Sequence, residues 1–280
     1  MIRQILVGLD GSAGGQSATE QGIRWASQYH AELTAVAVID TPTICRPQMT
    51  GVGGGYYKAR IERARMERAA SETARFQSEF LQRCATAGVR ASVQIEEGDP
   101  VEVILRLHDD HEVTLLPRTS HFRFATQDRP DETLVDVVRS SRRAIVAVPD
   151  THTPGSSIVV AYDGSSAAID ALESFAESGL GDGVPVSVVS VAEEQNAACR
   201  RAEEAVRFLN HHNLQARPCP ITTGQREADA LHTAAEQAHA EMVVMGAFSH
   251  SRAREWFHRS TTLRLLRHET RLLYLRHHPE

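Results

Sequence analysis

The sequence predicts an α/β protein made of two tandem, doubly wound domains, each with a five-stranded parallel sheet. Three observations carry this prediction. A short apolar segment ending in Asp-Gly-Ser occurs twice, strand-like and helix-like segments alternate after each copy, and a polar linker at 149–155 separates the copies. Such alternation is typical of βαβ units, whose strands are buried on both faces. We expect domains at 1–150 and 155–280.

The first strand of each domain is the clearest repeated element. Residues 5–12 align with residues 158–165, and both segments run from an apolar stretch into Asp-Gly-Ser. Ser12 and Ser165 then stand where a helix begins, so their hydroxyls can cap free backbone N–H groups. The repeat therefore predicts a strand, a tight turn and a capped helix at the start of each half.

The remaining elements repeat in the same order. Apolar residues at helical spacing follow the first strand, most clearly at Ala168, Ala171, Leu172 and Phe175. Strands two to five are predicted at 33–39, 90–95, 113–116 and 144–148 in the first half, and at 186–191, 215–221, 242–245 and 271–275 in the second. Long helices rich in Ala, Arg and Glu are predicted at about 58–87 and 193–211.

Bulk properties exclude several classes of function. A net charge of −6 argues against general affinity for nucleic acid or anionic lipid, and no apolar stretch is long enough for a membrane span. The chain runs from Met1 directly into a strand-like segment, which leaves no room for a secretory signal. Neither the 4 cysteines nor the 14 histidines have the spacing of a metal site. We therefore expect a soluble cytoplasmic protein with no metal and no membrane or nucleic-acid partner.

Taken together, these features resemble the universal stress protein family over nearly the whole length. The resemblance rests on the strand ending in Asp-Gly-Ser, on the turn at 98–100, and on the strand at 242–245 followed by Gly246. It implies the adenine nucleotide alpha-hydrolase-like fold, intramolecular pairing of the two domains, a possible homodimer, and a protein partner that the sequence does not name. It also implies a crevice between the first and fourth strands, where nucleotide-binding members hold ATP.

The second half keeps part of the family's nucleotide motif, which is G-x-x-G, nine residues, then G-[ST]. Gly246 and Ser260 match it, whereas Ser249 and Arg259 replace its other two glycines. Bare glycines let backbone N–H groups approach a phosphate, so both replacements weaken the match. Two interpretations stay open: an anion-binding rim that also uses the cationic residues of this loop, or a loop that has lost its nucleotide role.

The first half departs further from the motif. Pro117 stands at the place of its first glycine, and no Gly-Ser pair closes the loop. We do not expect this half to bind ATP in the family's manner. Asp10 and Asp163 end the first strands, and each either contacts a ligand or braces its own turn. The candidate ligand-binding residues are Asp163, Gly164, Gly246, Ser249, Ser260, Thr261 and Asp10.

No motif in the sequence assigns a reaction. It has neither a Gly-Lys-[Ser/Thr] phosphate loop nor a G-x-S-x-G nucleophile elbow. The sequence favours a regulatory, stress-response protein with at most one degenerate nucleotide site, in the second domain. The alternatives are a protein that binds and slowly hydrolyses ATP, and a protein that binds another small anionic ligand in the same crevice.

Overall fold

The chain divides into two structural units, each built from one copy of the repeat. A computed structural model describes residues 2–46, 54–124, 126–127, 131–223, 226–248 and 255–278. Its internal contacts divide the chain into Arg3–Val137, the first unit, and Val138–Glu280 together with Ile2, the second unit. Each unit is an α/β structure, which confirms the predicted fold class.

The first unit alternates strands with helices in the predicted order. Its strands are β1 (Gln4–Gly8), β2 (Glu32–Ile39), β3 (Ala91–Glu97) and β4 (Val113–Pro117). Its helices are α1 (Ala13–Tyr29), α2 (Thr41–Ile44), α3 (Gly54–Thr86) and α4 (Pro100–His108), and α5 (Thr133–Ser140) leads out of the unit. The short helix α2 was not predicted, because four residues are too few to show a helical period.

The second unit repeats this order after one additional strand. Its strands are β5 (Ile145–Val148), β6 (Ser157–Ala161), β7 (Val186–Ala192), β8 (Ala216–Thr222), β9 (Ala240–Ala247) and β10 (Leu272–His277). Its helices are α6 (Ser166–Ser178), α7 (Gln195–His211), α8 (Glu227–Gln237) and α9 (Glu255–His268). None of the described helices is long and apolar enough to cross a membrane.

The sheets follow the doubly wound pattern, with one strand placed differently from the prediction. In the first unit the strand order is β3-β2-β1-β4, and all pairs are parallel. In the second unit β10-β9-β6-β7-β8 is parallel, and β5 pairs with β10 in antiparallel orientation. β5 therefore groups with the second unit, although the repeat places it at the end of the first half. The pairing covers an edge of β10 that would otherwise stay open.

The two Asp-Gly-Ser segments form matching turns directly after the carboxyl ends of β1 and β6. Gly11 has φ +73° and Gly164 has φ +80°, a left-handed conformation that glycine adopts without strain. The hydroxyl of Ser12 accepts a hydrogen bond from the Gly15 N–H at 3.0 Å, and the hydroxyl of Ser165 accepts one from Ala168 at 3.2 Å. Both predicted helix caps are confirmed.

Candidate functional site

An open crevice lies at the carboxyl ends of β6 and β9 in the second unit. These strands are parallel neighbours, so the residues that follow them meet at one edge of the sheet. The crevice contains about 510 Å³ of atom-free space, counting the part open to solvent. Its apolar walls are Ala161, Ala168, Val189, Val191, Leu231 and Met245, and its polar lining is Tyr162, Asp163, Ser165, Glu227, Thr261 and Thr262, with Gly246 at its base. Apolar walls with a few convergent polar groups are typical of a small-molecule site.

Asp163 lies in the turn that follows β6. One of its oxygens accepts a hydrogen bond from the Ser165 N–H at 2.9 Å, which fixes the carboxylate beside the start of α6. Asp163 is half-buried and lines the crevice. Next to it, burial raises the pKa of Tyr162, and the nearby carboxylates of Glu204 and Asp163 raise it further. Tyr162 therefore keeps its proton, and this end of the crevice presents carboxylate acceptors and hydroxyl groups.

Gly246 is required by packing, whatever its relation to a ligand. A Cβ at this position would lie 2.5 Å from the carbonyl carbon of Ala167 and 2.6 Å from the nitrogen of Ala168. Both atoms belong to the backbone of α6, which cannot move away without disturbing the helix. The glycine lets β9 approach α6 closely enough to form the floor of the crevice.

The structure brings together some of the candidate residues and leaves others apart. Asp163, Gly246 and Thr261 line the same crevice, and Thr261 is buried. Gly164 is exposed in the turn and does not line it. Ser260 belongs to α9, and Ser249 lies outside the described residues.

Besides the predicted helix cap Ser165, three polar residues of the lining were not among the candidates from the sequence. Tyr162, Glu227 and Thr262 all face the crevice. Thr262 directly follows the candidate residue Thr261, so extending the motif by one residue would have included it. Glu227 opens α8, whose N-terminus lies at the same edge of the sheet because helices in a doubly wound fold begin after the carboxyl ends of strands. That geometric rule is the signal that could have found it.

In the first unit the equivalent place is filled by the chain itself. The segment after β4 carries Phe122, whose ring is 1% exposed. The ring is packed so tightly against β1 that a Cβ on Gly8 would lie 2.5 Å from its Cζ. Phe124 follows and packs edge-to-face against Phe76 of α3, with ring centroids 5.6 Å apart. We call residues 122–124 the plug segment, since the Phe122 ring lies beside Gly8 of β1 and Leu116 of β4, in the region that corresponds to the crevice of the second unit.

Arg123 ties the plug segment to two helix starts. Its guanidinium donates to Asp40 at 2.7 Å and to Asp99 at 2.8 Å. Asp40 caps α2 and Asp99 caps α4, so one side chain joins two caps to the loop. Burial acts to raise the pKa of Asp99, but the hydrogen bond and charge of Arg123, together with backbone hydrogen bonds from Val101 and Glu102, outweigh it and leave this pKa below its ordinary value.

Asp10 holds the plug segment from the other side. One carboxylate oxygen accepts hydrogen bonds from the backbone and hydroxyl of Ser12, at 3.0 and 2.7 Å. The other oxygen accepts the His121 N–H at 2.6 Å. Asp10 is 2% exposed, so its acceptors are used within the chain. The space that remains beside it opens between α1 and α3 instead of between the strand ends.

Comparison with known proteins places this architecture in a family. The model of the universal stress protein family matches residues 1–121 and 156–270, which cover both repeats. The chain belongs to the universal stress protein family. No curated relative matches it.

Solved structures share the fold of this universal stress protein at low sequence identity. A universal stress protein from Archaeoglobus fulgidus is 16% identical with a TM-score of 0.71, and the match covers 98% of each chain. A putative universal stress protein from Pseudomonas aeruginosa is 14% identical with a TM-score of 0.58, and the match covers 99% of this chain and 93% of that one. A protein of unknown function from the same species is also 14% identical with a TM-score of 0.58, with 99% and 92% covered.

Replacing Gly246 by alanine in this universal stress protein should destabilise the second unit. We expect Gly246→Ala to cost about 2–3 kcal/mol of unfolding free energy, because the new methyl group meets helix backbone instead of a movable side chain. Urea unfolding followed by far-UV circular dichroism measures the change. Gly55→Ala is the control, since a Cβ there has nothing within 4 Å, and it should shift stability by less than about 1 kcal/mol. A G246A protein of unchanged stability would refute the packing explanation.

The titration of Asp10 should make the free energy of unfolding depend on pH. Burial raises the pKa of Asp10 from 3.8 to about 6, although hydrogen bonds from Ser12 and His121 act to lower it. Because the folded pKa is the higher one, protonation stabilises the folded protein. This contribution is complete below about pH 4 and is lost as the pH rises through about 6.

Comparison with Asp10→Asn isolates this contribution, since asparagine does not titrate. We expect the wild-type free energy of unfolding, minus that of D10N, to be about 2 kcal/mol larger at pH 4.5 than at pH 8. Trp25, 6% exposed in α1, reports the first unit by fluorescence in a Trp256→Phe background. A difference that stays constant with pH, or grows toward alkaline pH, would contradict the assignment.

Proposed function

We propose that the protein is a regulatory, stress-response member of the family that binds one adenine nucleotide or nucleoside per chain, in the crevice of the second unit. The observation that carries the proposal is the contrast between the two repeats. The second unit has an open crevice at the ends of β6 and β9, and the equivalent region of the first unit is filled by the plug segment. Binding without turnover fits the absence of a recognised catalytic motif in the sequence.

The chemistry of the crevice favours the nucleoside part of such a ligand. Asp163 and Glu227 are acceptors suited to ribose hydroxyls or an amino group, and the walls formed by Val189 and Val191 suit a flat apolar ring. Two carboxylates at this end would repel a phosphate placed beside them. A purely anionic ligand is therefore less well supported than a nucleoside, or a nucleotide whose phosphates lie away from these two carboxylates.

Thermal unfolding with a small set of probes tests the proposal. Adenosine, AMP and MgATP are each added at millimolar concentration to the wild type, to Asp163→Asn and to Asp182→Asn. Asp182 is the matched control, because it is exposed and precedes β7. It therefore lies at the amino ends of the strands, and the crevice lies at their carboxyl ends. A ligand at ten times its Kd stabilises the native state by about 1.4 kcal/mol, which corresponds to roughly 3–5 °C.

We expect that shift for at least one probe in the wild type and in D182N, and its loss in D163N. Nucleotide released on denaturing the purified protein would add support. No shift with any probe would contradict the proposal, and so would an equal shift in D163N.

A further inference from the structure

The edge strand of the first unit, β3, points a row of backbone hydrogen-bonding groups away from its neighbour β2. Among the described residues, β3 pairs only with β2. The ladder begins with the Leu33 N–H donating to the Arg90 carbonyl and ends with the Gly98 N–H donating to the Ile39 carbonyl. Parallel ladders bond every second residue, so the even-numbered residues of β3 face β2. The odd-numbered residues point their N–H and C=O groups outward; they are Ala91, Val93, Ile95 and Glu97.

The edge strand of the second unit has the same position in its repeat but is protected. The Val186 N–H donates to the Gln215 carbonyl, so the even-numbered residues of β8 point outward. Two of these are Pro218 and Pro220, which have no N–H to offer. The outward N–H of Ala216 is already bonded to the side chain of Asn210 at 3.1 Å. Three of the four outward positions of β8 therefore offer no free N–H to a further strand.

The strand pairings align the two edges residue by residue. Val93 lies beside Ala35 of β2, as Pro218 lies beside Val188 of β7. Ile95 in the same way corresponds to Pro220. The chain blocks one edge at two positions and leaves valine and isoleucine at the equivalent positions of the other. Since open edges are commonly blocked to prevent pairing, the unblocked one has the features of an interface.

The side chains of β3 are self-complementary. Ile95 is 43% exposed although it lies in a strand, and Val93 is on the same face two residues away. If two copies of β3 pair in antiparallel orientation with Gln94 on the two-fold axis, Val93 of each copy lies opposite Ile95 of the other. Glu97 then lies opposite Ala91, so no two acidic residues face each other across the pair.

We propose that β3 is a dimer interface at which two copies of this chain join their sheets edge to edge. The two-fold pairing centred on Gln94 uses all four outward-pointing residues of each strand. It buries Ile95 against the partner copy's Val93. This surface belongs to β3 of the first unit and includes none of the residues that line the crevice, and its test does not depend on ligand binding.

The first experiment transfers the protected pattern of β8 to β3. Val93→Pro/Ile95→Pro removes two outward N–H groups and leaves the even-numbered residues free to bond β2. We expect the wild type to be a dimer by light scattering at tens of micromolar, and the double variant to dimerise at least tenfold more weakly. Ile95→Lys, which retains every N–H, should weaken the dimer in the same direction. Tyr56→Ser/Tyr57→Ser removes two exposed aromatic residues outside β3 and should leave the dimer unchanged.

The second experiment tests the register. Residues opposite each other at a non-hydrogen-bonded position have Cα atoms about 4.5 Å apart, within the range of a disulfide. In a background with serine at the three cysteines that are not buried (Cys45, Cys199 and Cys219), Gln94→Cys should therefore form a covalent dimer under mild oxidation. Ser92→Cys should not, because its two copies would lie roughly 13 Å apart.

Three results would overturn the proposal. The wild type could be a monomer at every concentration with rapid hydrogen exchange at the odd-numbered amides of β3. The proline variant and the lysine variant could both dimerise as strongly as the wild type. The Gln94→Cys variant could also fail to cross-link more than the Ser92→Cys variant.

Discussion

Arg123→Met should destabilise the first unit by about 3–5 kcal/mol, one of the two largest effects we expect in this protein. The guanidinium is the partner of Asp40, whose side chain is 1% exposed, and its removal leaves a buried carboxylate without its counter-charge. It also detaches the plug segment from Asp99. Urea unfolding monitored through Trp25 in the Trp256→Phe background measures the loss.

Two further variants show whether the buried charge is the cause. Asp40→Asn in the Arg123→Met background removes the unpaired charge and should recover at least half of the lost free energy. Arg63→Met breaks a pair with Glu67 whose side chains are 83% and 69% exposed, so it should change stability by less than about 0.5 kcal/mol. Equal losses in R123M and R63M would refute the role given to Arg123.

Phe122→Ala should cost a similar amount, about 3–5 kcal/mol, for a different reason. The ring is almost fully buried between Gly8 and Leu116, and truncation leaves a cavity at the end of β1. The same fluorescence-monitored unfolding measures the effect. Phe122→Leu, which keeps most of the volume, should lose less than half as much.

A double-mutant cycle with Gly8→Ala tests whether the Phe122 ring packs directly against β1. In the wild type the new methyl group would lie 2.5 Å from the ring and should be strongly destabilising. In the Phe122→Ala background that clash is gone, so Gly8→Ala should cost at least about 1 kcal/mol less than it does alone. If the losses of Gly8→Ala and Phe122→Ala were additive, the Phe122 ring would not be in contact with Gly8.

The repeat made the regular part of this structure predictable. The two Asp-Gly-Ser segments carried the strand, turn and cap in both units, because this local chemistry is the same wherever it occurs. The position of β5 was not predictable in the same way. An apolar strand of four residues carries no mark of its partner, and its antiparallel pairing with β10 depends on contacts far along the chain.

The crevices were predictable only in part. The sequence placed Asp163, Gly246 and Thr261 near one sheet edge, and Pro117 indicated that the first phosphate loop was lost. It did not indicate that the loop folds into the space. Phe122 lies in a segment without strand or helix periodicity, so its burial has no local signal.

The role of Asp10 also depends on distant partners. The sequence left open whether this residue contacts a ligand or braces its turn. The deciding neighbour is the backbone N–H of His121, which is 111 residues away in the chain. The same motif at Asp163 has a hydrogen bond to Ser165 and an open crevice beside it. Identical turn chemistry therefore serves two different surroundings.

Binding stoichiometry tests the contrast between the two repeats most directly. Calorimetric titration of the probe that gives the thermal shift (adenosine, AMP or MgATP) into the wild type, Asp10→Asn and Asp163→Asn counts sites and identifies the unit that holds them. We predict one site per chain in the wild type and in D10N, and no binding heat in D163N. Two sites per chain, or a site that survives in D163N and is lost in D10N, would contradict the account.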